Sequence, residues 1–412
     1  MRHFFKGKRP SPVWGGPFWL LGGAPVLELY IPVGSRKLRC GYTTGACAAA
    51  ATAGAARLLL TGERLPAVTI GTPAGVTVEV PLLEQTAGTG WASCAVRKDG
   101  GDDPDVTNGT LIFARVEKTD APGVTIDGGR GVGRVTRPGL DQPVGAAAIN
   151  STPRRMIAGQ AEEEAARAGY TGGLQVTISV PEGETLAAHT FNPRLGIEGG
   201  ISILGTSGIV RPMSETALID SLYLEQDMAR AAGVTDLLVT PGNYGDSFAE
   251  QTLGLDLTHR CTCSNYLGHA IDHAVGAGFR SFLLVGHLGK LIKVAAGNMN
   301  THSKTADGRR EALTAHAALA GGSPTLLKAL FACPTTDAGV ELLKEAGLLE
   351  PVMASIAQAL EEVLRHRAGP DLAIEAVFFS NQYGLLDKTT GAENLLALHR
   401  NGRMWASAPT DR

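Results

Sequence analysis

The C-terminal half of the chain repeats one arrangement: a short apolar run, a loop containing glycine and then a helical pattern. It occurs in "ISILGTSGIVRPMSETALIDSLYLEQDMARAAG" from residue 201, in "TDLLVTPGNYGDSFAEQTLG" from 235 and in "SFLLVGHLGKLIKVAAG" from 281. A further apolar run, "AIEAVFFS", lies at 373–380. Continuous apolar runs joined by helices are typical of parallel sheets buried on both faces. The pattern predicts an α/β, Rossmann-like domain with a mainly parallel sheet over residues 196–400.

Residues 38–195 have a different texture, in which short β-like runs alternate with glycine turns. Two helical patterns are embedded in this part, at 45–61 and 153–169. Clusters of short strands with few helices predict an α+β domain. Because Gly and Pro interrupt the apolar stretch at the start, we expect residues 1–37 to form a flexible extension outside the fold, and 401–412 to form a tail.

The bulk composition limits the possible classes of protein. At 412 residues the chain is long enough for two domains, since single cores stop growing near about 250–300 residues. A net charge of −3 argues against nucleic acid as the main partner. No apolar run is long enough to span a membrane. Six cysteines are too few for a disulfide framework and indicate reduced thiols, so we expect a cytoplasmic protein. The oligomeric state stays open.

Three glycine loops follow the predicted strands of the second domain. In an open parallel sheet, ligands bind beyond the carboxyl ends of the strands. Glycines there let backbone N–H groups approach a ligand, so a small-molecule site is favoured over three ordinary turns. No loop has the GxGxxG or GxxxxGK[ST] spacing, so no standard nucleotide motif is present. The predicted cofactor-binding residues are Gly205, Thr206, Ser207, Gly208, Asn243, Tyr244, Gly245 and Gly286.

The segment "GGRGVGRVTRPG" at 128–139 contains Gly129, Gly131 and Gly133 in alternate positions. Pro138 and its neighbours break any helix that would follow, so hairpin glycines are favoured over a nucleotide loop. Five arginines lie between 128 and 155. A solvated surface is their default explanation, but Arg154 and Arg155, after an expected N-cap at Thr152, also suit the capture of carboxylates.

The segment "GHLGKLIKVAAGNMNTHSKTADGRRE" at 286–311 is the densest in polar side chains. Its amides, histidines and cations suit a binding site better than a bland loop. Asp307 is expected to cap the helix that follows. His302 is compatible with a general base, a ligand to a bound metal or a hydrogen-bond donor, and the donor role is favoured. The predicted site residues from this segment are His287, Lys290, Lys293, Asn300, His302 and Arg309.

No metal site is predicted within the protein. His269 and His273 are four residues apart on a helical pattern, but no HExxH motif or acidic set accompanies them. Packing or surface histidines are therefore favoured. Cys261 and Cys263 are too close for a CxxC pair, and no second cysteine pair completes a zinc site.

A polar turn precedes an alanine-rich helix in "LRCGYTTGACAAAATAGAARLLL" at 38–60. Thr43 or Thr44 is expected to cap this helix. Cys47 falls on its first turn, where a helix N-terminus could lower the thiol pKa. We predict that Thr43, Thr44 and Gly45 hold a carboxylate, and we treat Cys47 only as a minor candidate nucleophile.

Five segments closely resemble one known family over residues 36–390. They are "GYTTGACAAAA", "TRPGLDQPVGAAAINSTPRRMI", "GGISILGTSGIVRPMSETAL", "GHAIDHAVGAGF" and "VGHLGKLIKVAAGNMNTHSKTADGRRE", in that order. The family is the cobalt-precorrin-5B C(1)-methyltransferases of the anaerobic cobalamin pathway. Five long segments in register are more specific than any single loop.

The resemblance implies that S-adenosylmethionine donates a methyl group to C1 of a cobalt-containing tetrapyrrole, giving cobalt-precorrin-6A. The acetate and propionate arms of this substrate would need the cations noted above. A base, His302 or His287, is needed only if a proton leaves. In-line methyl transfer depends mainly on positioning, which agrees with the lack of a catalytic triad. The alternatives are a nicotinamide-dependent oxidoreductase acting on a tetrapyrrole, and a tetrapyrrole-binding protein without catalysis.

Overall fold

A computed structural model describes residues 27–33 and 35–400 of the chain. The described residues form two compact units. The first unit comprises the described residues up to 126, with 152–178 and 205–212, and the second comprises 127–151, 179–204 and the described residues from 213. Most of the predicted N-terminal extension, and the whole predicted tail, lie outside the described residues.

The first unit is built on a five-stranded sheet of order β6-β7-β8-β12-β9. Strands β6, β7 and β8 are antiparallel to one another. Two small antiparallel pairs, β1 with β2 and β4 with β5, accompany it. The elements that lie mainly in this unit are β1 (Tyr30–Val33), β2 (Arg36–Arg39), β3 (Gly41–Tyr42), α1 (Thr44–Thr61), β4 (Ala67–Gly71), β5 (Thr77–Pro81), β6 (Leu83–Gly88), β7 (Trp91–Arg97), β8 (Leu111–Thr119), β9 (Val124–Gly128), α2 (Ser151–Arg167), β12 (Gly173–Ser179) and β15 (Ile209–Val210).

Helix α1 packs on β7 and β8 and forms much of the core of this unit. Thr43 is its N-cap and accepts a hydrogen bond of 3.2 Å from the Ala46 N–H, as the sequence predicted. Gly62 ends it in the left-handed conformation, and its N–H donates to the Leu58 carbonyl. The alanines at 46, 48–51 and 53 are fully buried, because their small side chains let the helix approach the sheet closely.

The second unit holds the remaining elements. They are β10 (Gly131–Val132), β11 (Arg134–Val135), α3 (Gly183–Ala187), β13 (Ile197–Glu198), β14 (Gly200–Ile201), α4 (Glu215–Ala231), β16 (Asp236–Thr240), α5 (Asn243–Gln251), β17 (Cys261–Thr262), α6 (Leu267–Gly276), β18 (Ser281–His287), α7 (Leu288–Ala295), α8 (Arg309–Leu319), α9 (Pro324–Ala332), α10 (Thr336–Glu345), α11 (Leu349–Ala368), β19 (Ala373–Ser380), β20 (Gly384–Lys388) and α12 (Ala392–His399).

Its five-stranded sheet has the order β17-β16-β18-β19-β20. Pairings β17–β16, β16–β18 and β18–β19 are parallel, and β20 is antiparallel to β19. Side chains alternate between two cores: Leu237, Phe282 and Ile374 belong to one, and Leu238, Leu283 and Val377 to the other. The sheet is therefore buried on both faces, which explains the unbroken apolar runs.

The structure is a mixed α/β protein, and it differs from the prediction in two places. Strand β14, before the loop at 205–208, pairs with β10 rather than with the five-stranded sheet. The expectation that this loop follows a strand of that sheet is therefore wrong. Residues 30–33, predicted to lie in the extension, form β1, which pairs with β2.

The division into units also departs from the predicted boundary near 195. Segments 127–151 and 179–204 pair with each other through β10 with β14 and β11 with β13, so both join the second unit. Among the described residues, no helix is both long and apolar enough to cross a membrane.

Candidate functional site

The ends of β16, β17, β18 and β19, with the loops that follow them, form what we call the carboxyl edge. The four strands are parallel neighbours, so these ends lie on one side of the sheet. Two of the three predicted loops, at 241–245 and 286–289, lie here. The loop at 205–208 does not follow one of these strands and belongs to the first unit.

A hydrogen-bonded network joins the ends of β16 and β17. The Asp246 carboxylate accepts from Thr240 Oγ1 at 2.5 Å and from Arg260 Nη2 at 2.7 Å. Arg260 Nη1 also donates to Thr262 Oγ1. The N–H of Thr262 donates to Glu225 Oε2 at 2.6 Å, and burial raises the pKa of Glu225. Charged groups thus surround β17, where the sequence had offered only two cysteines.

The loop at 263–266 leads from β17 to α6 and forms hydrogen bonds with α7 and with the polar segment that follows α7. Lys290 Nζ donates to the Ser264 carbonyl at 3.1 Å, and burial lowers the pKa of the Lys290 ammonium. Ser264 has a φ of +50°, an uncommon conformation for a residue other than glycine. Thr301 N donates to the Asn265 carbonyl at 2.9 Å. Lys290 therefore reaches the carboxyl edge, as its predicted role requires.

Two predicted substrate-binding cations are held by the protein itself. Lys293 is 3% exposed, and its Nζ donates to the Thr301 and Ala306 carbonyls at 3.2 Å each. Arg309 binds both oxygens of Asp307 at 2.5 and 2.8 Å, which lowers the pKa of that carboxyl to about 2. The expectation that Asp307 caps α8 is wrong, because the N-cap is Gly308, which makes no side-chain hydrogen bond.

The two candidate bases, His287 and His302, share one arrangement. Nδ1 of His287 accepts from the Gly289 N–H at 3.0 Å and caps α7. Nδ1 of His302 accepts from the Lys304 N–H at 3.1 Å. An imidazole that accepts at Nδ1 carries its proton on Nε2 when neutral, so both rings present a donor. The geometry thus favours the donor role over the base role.

Asn300 supports the segment that carries His302. Its Oδ1 accepts from the His302 N–H at 3.1 Å, and its backbone bridges to Tyr266. The predicted site residues Lys290, Asn300 and His302 are therefore brought near one another by the loop at 263–266.

The sequence analysis missed Asp337 and Ser380. Asp337 lies in the first turn of α10, after the Thr335 N-cap, and its Oδ1 is 3.7 Å from His287 Nε2. Ser380, the last residue of β19, donates to the same oxygen at 2.8 Å. The only available signal was that "AIEAVFFS" ends in a polar residue at the carboxyl end of a strand.

The predicted glycines of the carboxyl edge have different surroundings. A Cβ at Gly245 would lie 2.8 Å from the Val285 carbonyl, and a Cβ at Gly286 would collide with Leu291, so both serve close packing. Gly242 has a φ of +149°, and a Cβ there would meet no atom within 4 Å. Next to it, Asn243 is exposed and Tyr244 is 71% exposed. Among the predicted glycines of the carboxyl edge, Gly242 is therefore the one with open space beside its backbone, at the start of α5.

In the first unit, the structure brings together two predicted sets, Thr43–Gly45 and Gly205–Gly208. The Thr43 N–H donates to the Gly208 carbonyl at 3.0 Å. Gly205 has a φ of +125°, and a Cβ there would lie 2.5 Å from the Thr43 side chain. The Ser207 carbonyl accepts from the Ala74 N–H, and its hydroxyl donates to the Ile209 carbonyl. Close packing against the N-cap of α1 accounts for Gly205, and a Cβ at Gly208 would lie 2.8 Å from Thr72.

Burial decides the role of Cys47. Its thiol is fully buried, and burial raises its pKa to about 12, so the expectation of a lowered pKa is wrong. Thr44 and Gly45 are also buried. The desolvation penalty for a buried thiolate outweighs any help from the helix N-terminus, which excludes Cys47 as a nucleophile.

The predicted arginine pair begins α2, which starts at Ser151, so Thr152 lies inside the helix rather than at the N-cap. Arg154 donates to the Ile126 carbonyl at 3.0 Å, and Arg155 is exposed and donates to Thr152 Oγ1 at 2.8 Å. The glycines before them do not form the expected hairpin. Gly131 instead pairs in parallel with Gly200 of β14.

The paired histidines on α6 pack against α4. Tyr223 donates or accepts a hydrogen bond of 3.0 Å with His269 Nδ1 and stacks on His273 at 4.3 Å. His273 Nε2 lies 2.8 Å from Asp227. Over residues 27–33 and 35–400 there is no group of three or more His, Cys, Asp or Glu side chains suited to a metal ion.

A mixed α/β protein with open backbone, donor-rich loops and cations at the carboxyl ends of parallel strands belongs to the class that binds small molecules. Two family models match the chain. The model described as CbiD matches residues 32–212, and that described as CbiD, C-terminal domain, matches 300–390.

Curated relatives cover most of the chain. A cobalt-precorrin-5B C(1)-methyltransferase of Ruminiclostridium cellulolyticum is 46% identical, covering 86% of this chain and 92% of the relative. A protein of that name from Photorhabdus laumondii is 45% identical, covering 89% and 96%. A crystal structure of the cobalamin biosynthesis protein CbiD from Archaeoglobus fulgidus is 31% identical, with a TM-score of 0.38 over 69% of this chain and 88% of that one. The chain belongs to the CbiD family of cobalt-precorrin C(1)-methyltransferases.

Proposed function

We propose that this chain transfers a methyl group from S-adenosylmethionine to C1 of cobalt-precorrin-5B and forms cobalt-precorrin-6A in anaerobic cobalamin biosynthesis. The observation that carries the proposal is the identity of 42–46% to proteins named cobalt-precorrin-5B C(1)-methyltransferase, over more than nine-tenths of each. The cobalt belongs to the substrate. Membership of this family argues against the two alternatives, an oxidoreductase and a non-catalytic carrier.

The loop after β16 is our candidate for the binding site of the methyl donor. Gly242 leaves open space over its backbone, and Asn243 and Tyr244 are exposed beside it. Backbone N–H groups at the start of α5 suit a carboxylate, and the exposed Tyr244 ring suits stacking on a flat heterocycle. Bound S-adenosylmethionine would supply an electrophilic methyl group here. Gly245 and Gly286 support this loop by packing, without contacting the ligand.

The polar groups of the carboxyl edge are our candidates for binding the tetrapyrrole. Lys290 would bind a carboxylate arm, and the Nε2–H groups of His287 and His302 would donate to the substrate. Asn300 would hold His302 in place, since its side chain already accepts from the His302 N–H. Positioning of this kind can supply about 7–11 kcal/mol of a barrier without covalent catalysis. We assign Lys293 and Arg309 to loop support, because protein oxygens already bind them.

In the first unit, we keep Thr43, Thr44 and Gly45 as a candidate carboxylate site. The N-terminus of α1 supports it, because the start of an 18-residue helix attracts negative charge. The loop at 205–208 would then act by packing against Thr43. Arg155, which is exposed at the start of α2, is a second candidate for a carboxylate.

The finer description of the fold, an α+β domain followed by a Rossmann-like domain, belongs to this proposal. It is supported by three parallel pairings in the second sheet and by antiparallel strands in the first. A cytoplasmic location is part of the same proposal, supported by six free, buried cysteines. We expect neither nucleic acid nor membrane as a partner.

The test is direct. The purified chain, given S-adenosylmethionine and cobalt-precorrin-5B, should form a product heavier by one methylene unit, with the methyl group at C1 by NMR. S-adenosylhomocysteine should bind saturably, which separates a methyltransferase from a carrier. Competent substrate that stays unmethylated, together with tight NAD(P) binding, would overturn the proposal.

A further inference from the structure

A cavity of 380 Å³ in the second unit has three arginines in its wall: Arg137, Arg194 and Arg260. Apolar side chains, among them Leu195 and Met228, form much of the remainder. The volume lies in the range of about 300–1,000 Å³ that small-molecule sites occupy. Apart from the exposed arginine run that includes Arg137, nothing in the sequence pointed to this place.

The loop that carries Arg137 is fixed by local contacts. The N–H and Oγ1 of Thr136 both donate to the Gly196 carbonyl, at 2.8 and 2.9 Å. A Cβ at Gly196 would lie 2.5 Å from Cγ of Arg137, so the stem of the arginine runs over this glycine. A Cβ at Gly139 would lie 3.0 Å from the backbone of Met228, so the loop is also seated on α4. The Arg137 side chain is therefore held in the cavity wall.

The charges of the wall are only partly balanced within the protein, since the one carboxylate, Glu225, interacts electrostatically with both Arg260 and Arg194. Arg260 is bound to Asp246, at the carboxyl edge. Within residues 27–33 and 35–400, the guanidinium groups of Arg137 and Arg194 form no hydrogen bond or ion pair. Glu225 is the one carboxylate in the wall, and its Oε2 is already bound by the Thr262 N–H. Two unpaired guanidinium groups in a concave wall favour carboxylates, which they bind in a planar, two-pronged manner.

The cavity shares residues with the carboxyl edge. Arg260 lines the cavity and binds Asp246, which lies in the first turn of α5, next to the open loop at 242. Glu225 lines the cavity and accepts from Thr262, the last residue of β17. Arg260 and Glu225 therefore link the cavity wall to the carboxyl edge.

We infer that this cavity receives carboxylate arms of the substrate, with Arg137 and Arg194 as the groups that bind them. The identity of the substrate rests on the proposed function, whereas the chemistry of the ligand rests on the cavity itself. The apolar wall at Leu195 and Met228 suits the methylene part of such arms. The volume suits part of a tetrapyrrole rather than the whole macrocycle.

The test measures binding of a cobalt corrin that carries free carboxylate side chains, and of the same corrin as its methyl ester. The variant Arg137→Gln/Arg194→Gln removes both guanidinium groups and keeps most of each stem. The control Arg36→Gln/Lys37→Gln removes two positive charges from the exposed strand β2. We expect the first variant to bind the polyacid about tenfold or more weakly, which is the loss of at least one charged contact. The control should bind it as the unchanged chain does.

Further binding measurements separate the possible outcomes. Binding of the methyl ester should be equal for all three proteins, and Arg137→Lys/Arg194→Lys should recover part of the polyacid affinity. Unchanged polyacid binding by the Gln variant, with an intact thermal transition, would overturn the inference. Succinate that binds saturably to the unchanged chain but not to the Gln variant, without competing with the polyacid, would assign the cavity to a free dicarboxylate instead. Methyl transfer by the unchanged chain is measured separately, so failure of the proposed function remains distinguishable.

Discussion

His287 Nε2 lies 3.7 Å from Asp337 Oδ1, and Ser380 Oγ donates to that same oxygen at 2.8 Å. Because Nδ1 of His287 accepts from the Gly289 N–H, the proton of the neutral ring is on Nε2, the nitrogen that lies 3.7 Å from Asp337. Burial lowers the pKa of His287, and the Asp337 charge acts in the opposite direction. The end of β18 and the start of α10 are thus coupled by charge.

The first prediction concerns this coupling. Replacing Asp337 by Asn removes the charge that opposes burial, so the pKa of His287 should fall further below its usual value of 6.5. NMR titration of labelled histidine ring carbons measures it. The variant Asp272→Asn, which alters an exposed ion pair with Arg367, should leave the His287 titration unchanged. A His287 pKa that rises in Asp337→Asn would contradict the coupling.

The second prediction separates the cap from the binding role of His287. Asn is a preferred N-cap, so His287→Asn should keep the Gly289 contact and unfold near the temperature of the unchanged chain. His287→Ala should lose about 0.5–2 kcal/mol of stability with the cap. Both should turn over substrate more slowly, because neither presents the Nε2–H. Full turnover by His287→Asn would restrict this residue to capping.

The third prediction concerns Lys293. The variant Lys293→Met leaves the Thr301 and Ala306 carbonyls without their donor, at a cost of about 2–4 kcal/mol. Urea unfolding measures the loss, and limited proteolysis should cleave the 298–308 loop faster. Lys304→Met, at an exposed position of the same loop, is the control and should change neither. A stable Lys293→Met protein with weakened substrate binding alone would restore the predicted binding role.

The fourth prediction tests the close packing of Gly205 on Thr43. Gly205→Ala combines an unfavourable φ of +125° with a Cβ 2.5 Å from the Thr43 side chain, so it should cost about 1–3 kcal/mol. Gly276→Ala, in α6 with no atom within 4 Å of the new Cβ, should be neutral or stabilising by up to about 1 kcal/mol. Thermal unfolding compares the two. Equal stabilities would show that the 205–208 loop is free to move away from α1.

The fifth prediction is a pH dependence. His399 is 5% exposed, and burial lowers its pKa despite the nearby Asp236 and Asp256. The unfolded chain therefore takes up this proton first, and stability should be lost as the pH falls below about 6.5, by up to about 1.4 kcal/mol per pH unit. His399→Leu should lose less stability between neutral and mildly acidic pH, by urea unfolding. His189→Leu, at an exposed site, should keep the full loss.

Local signals predicted the elements with strong patterns. The alanine run after Thr43 gave α1 and its cap, and the apolar runs at 236–240, 281–287 and 373–380 gave three neighbouring strands. These predictions held because the cap of α1 and the buried strands are specified within a few residues. The loop at 205–208 looked like its counterparts at 242 and 287, but the strand before it pairs elsewhere. Pairing partners are distant in sequence, so texture alone could not assign that strand.

The same limit applies to the candidate site. The polar segment at 286–311 was found from its composition, but composition could not show that Lys293 and Arg309 are bound by protein oxygens. Nor could it show that Asp337 and Ser380 meet His287, since these residues come from three separate elements. Arg137 and Arg194 are 57 residues apart in the chain, and only folding brings them to one cavity.

The sequence by itself determined the family, the cap of α1 and the sheet buried on both faces, because each depends on residues close together in the chain or on segments kept in register. The tertiary structure decided which polar groups remain open to a ligand. Desolvation, close packing and internal hydrogen bonds remove Cys47, Gly205 and Lys293 from that set. The groups that they leave include the loop at 242 and the two unpaired arginines. Openness depends on every neighbour in space, and most of those neighbours are distant in the chain.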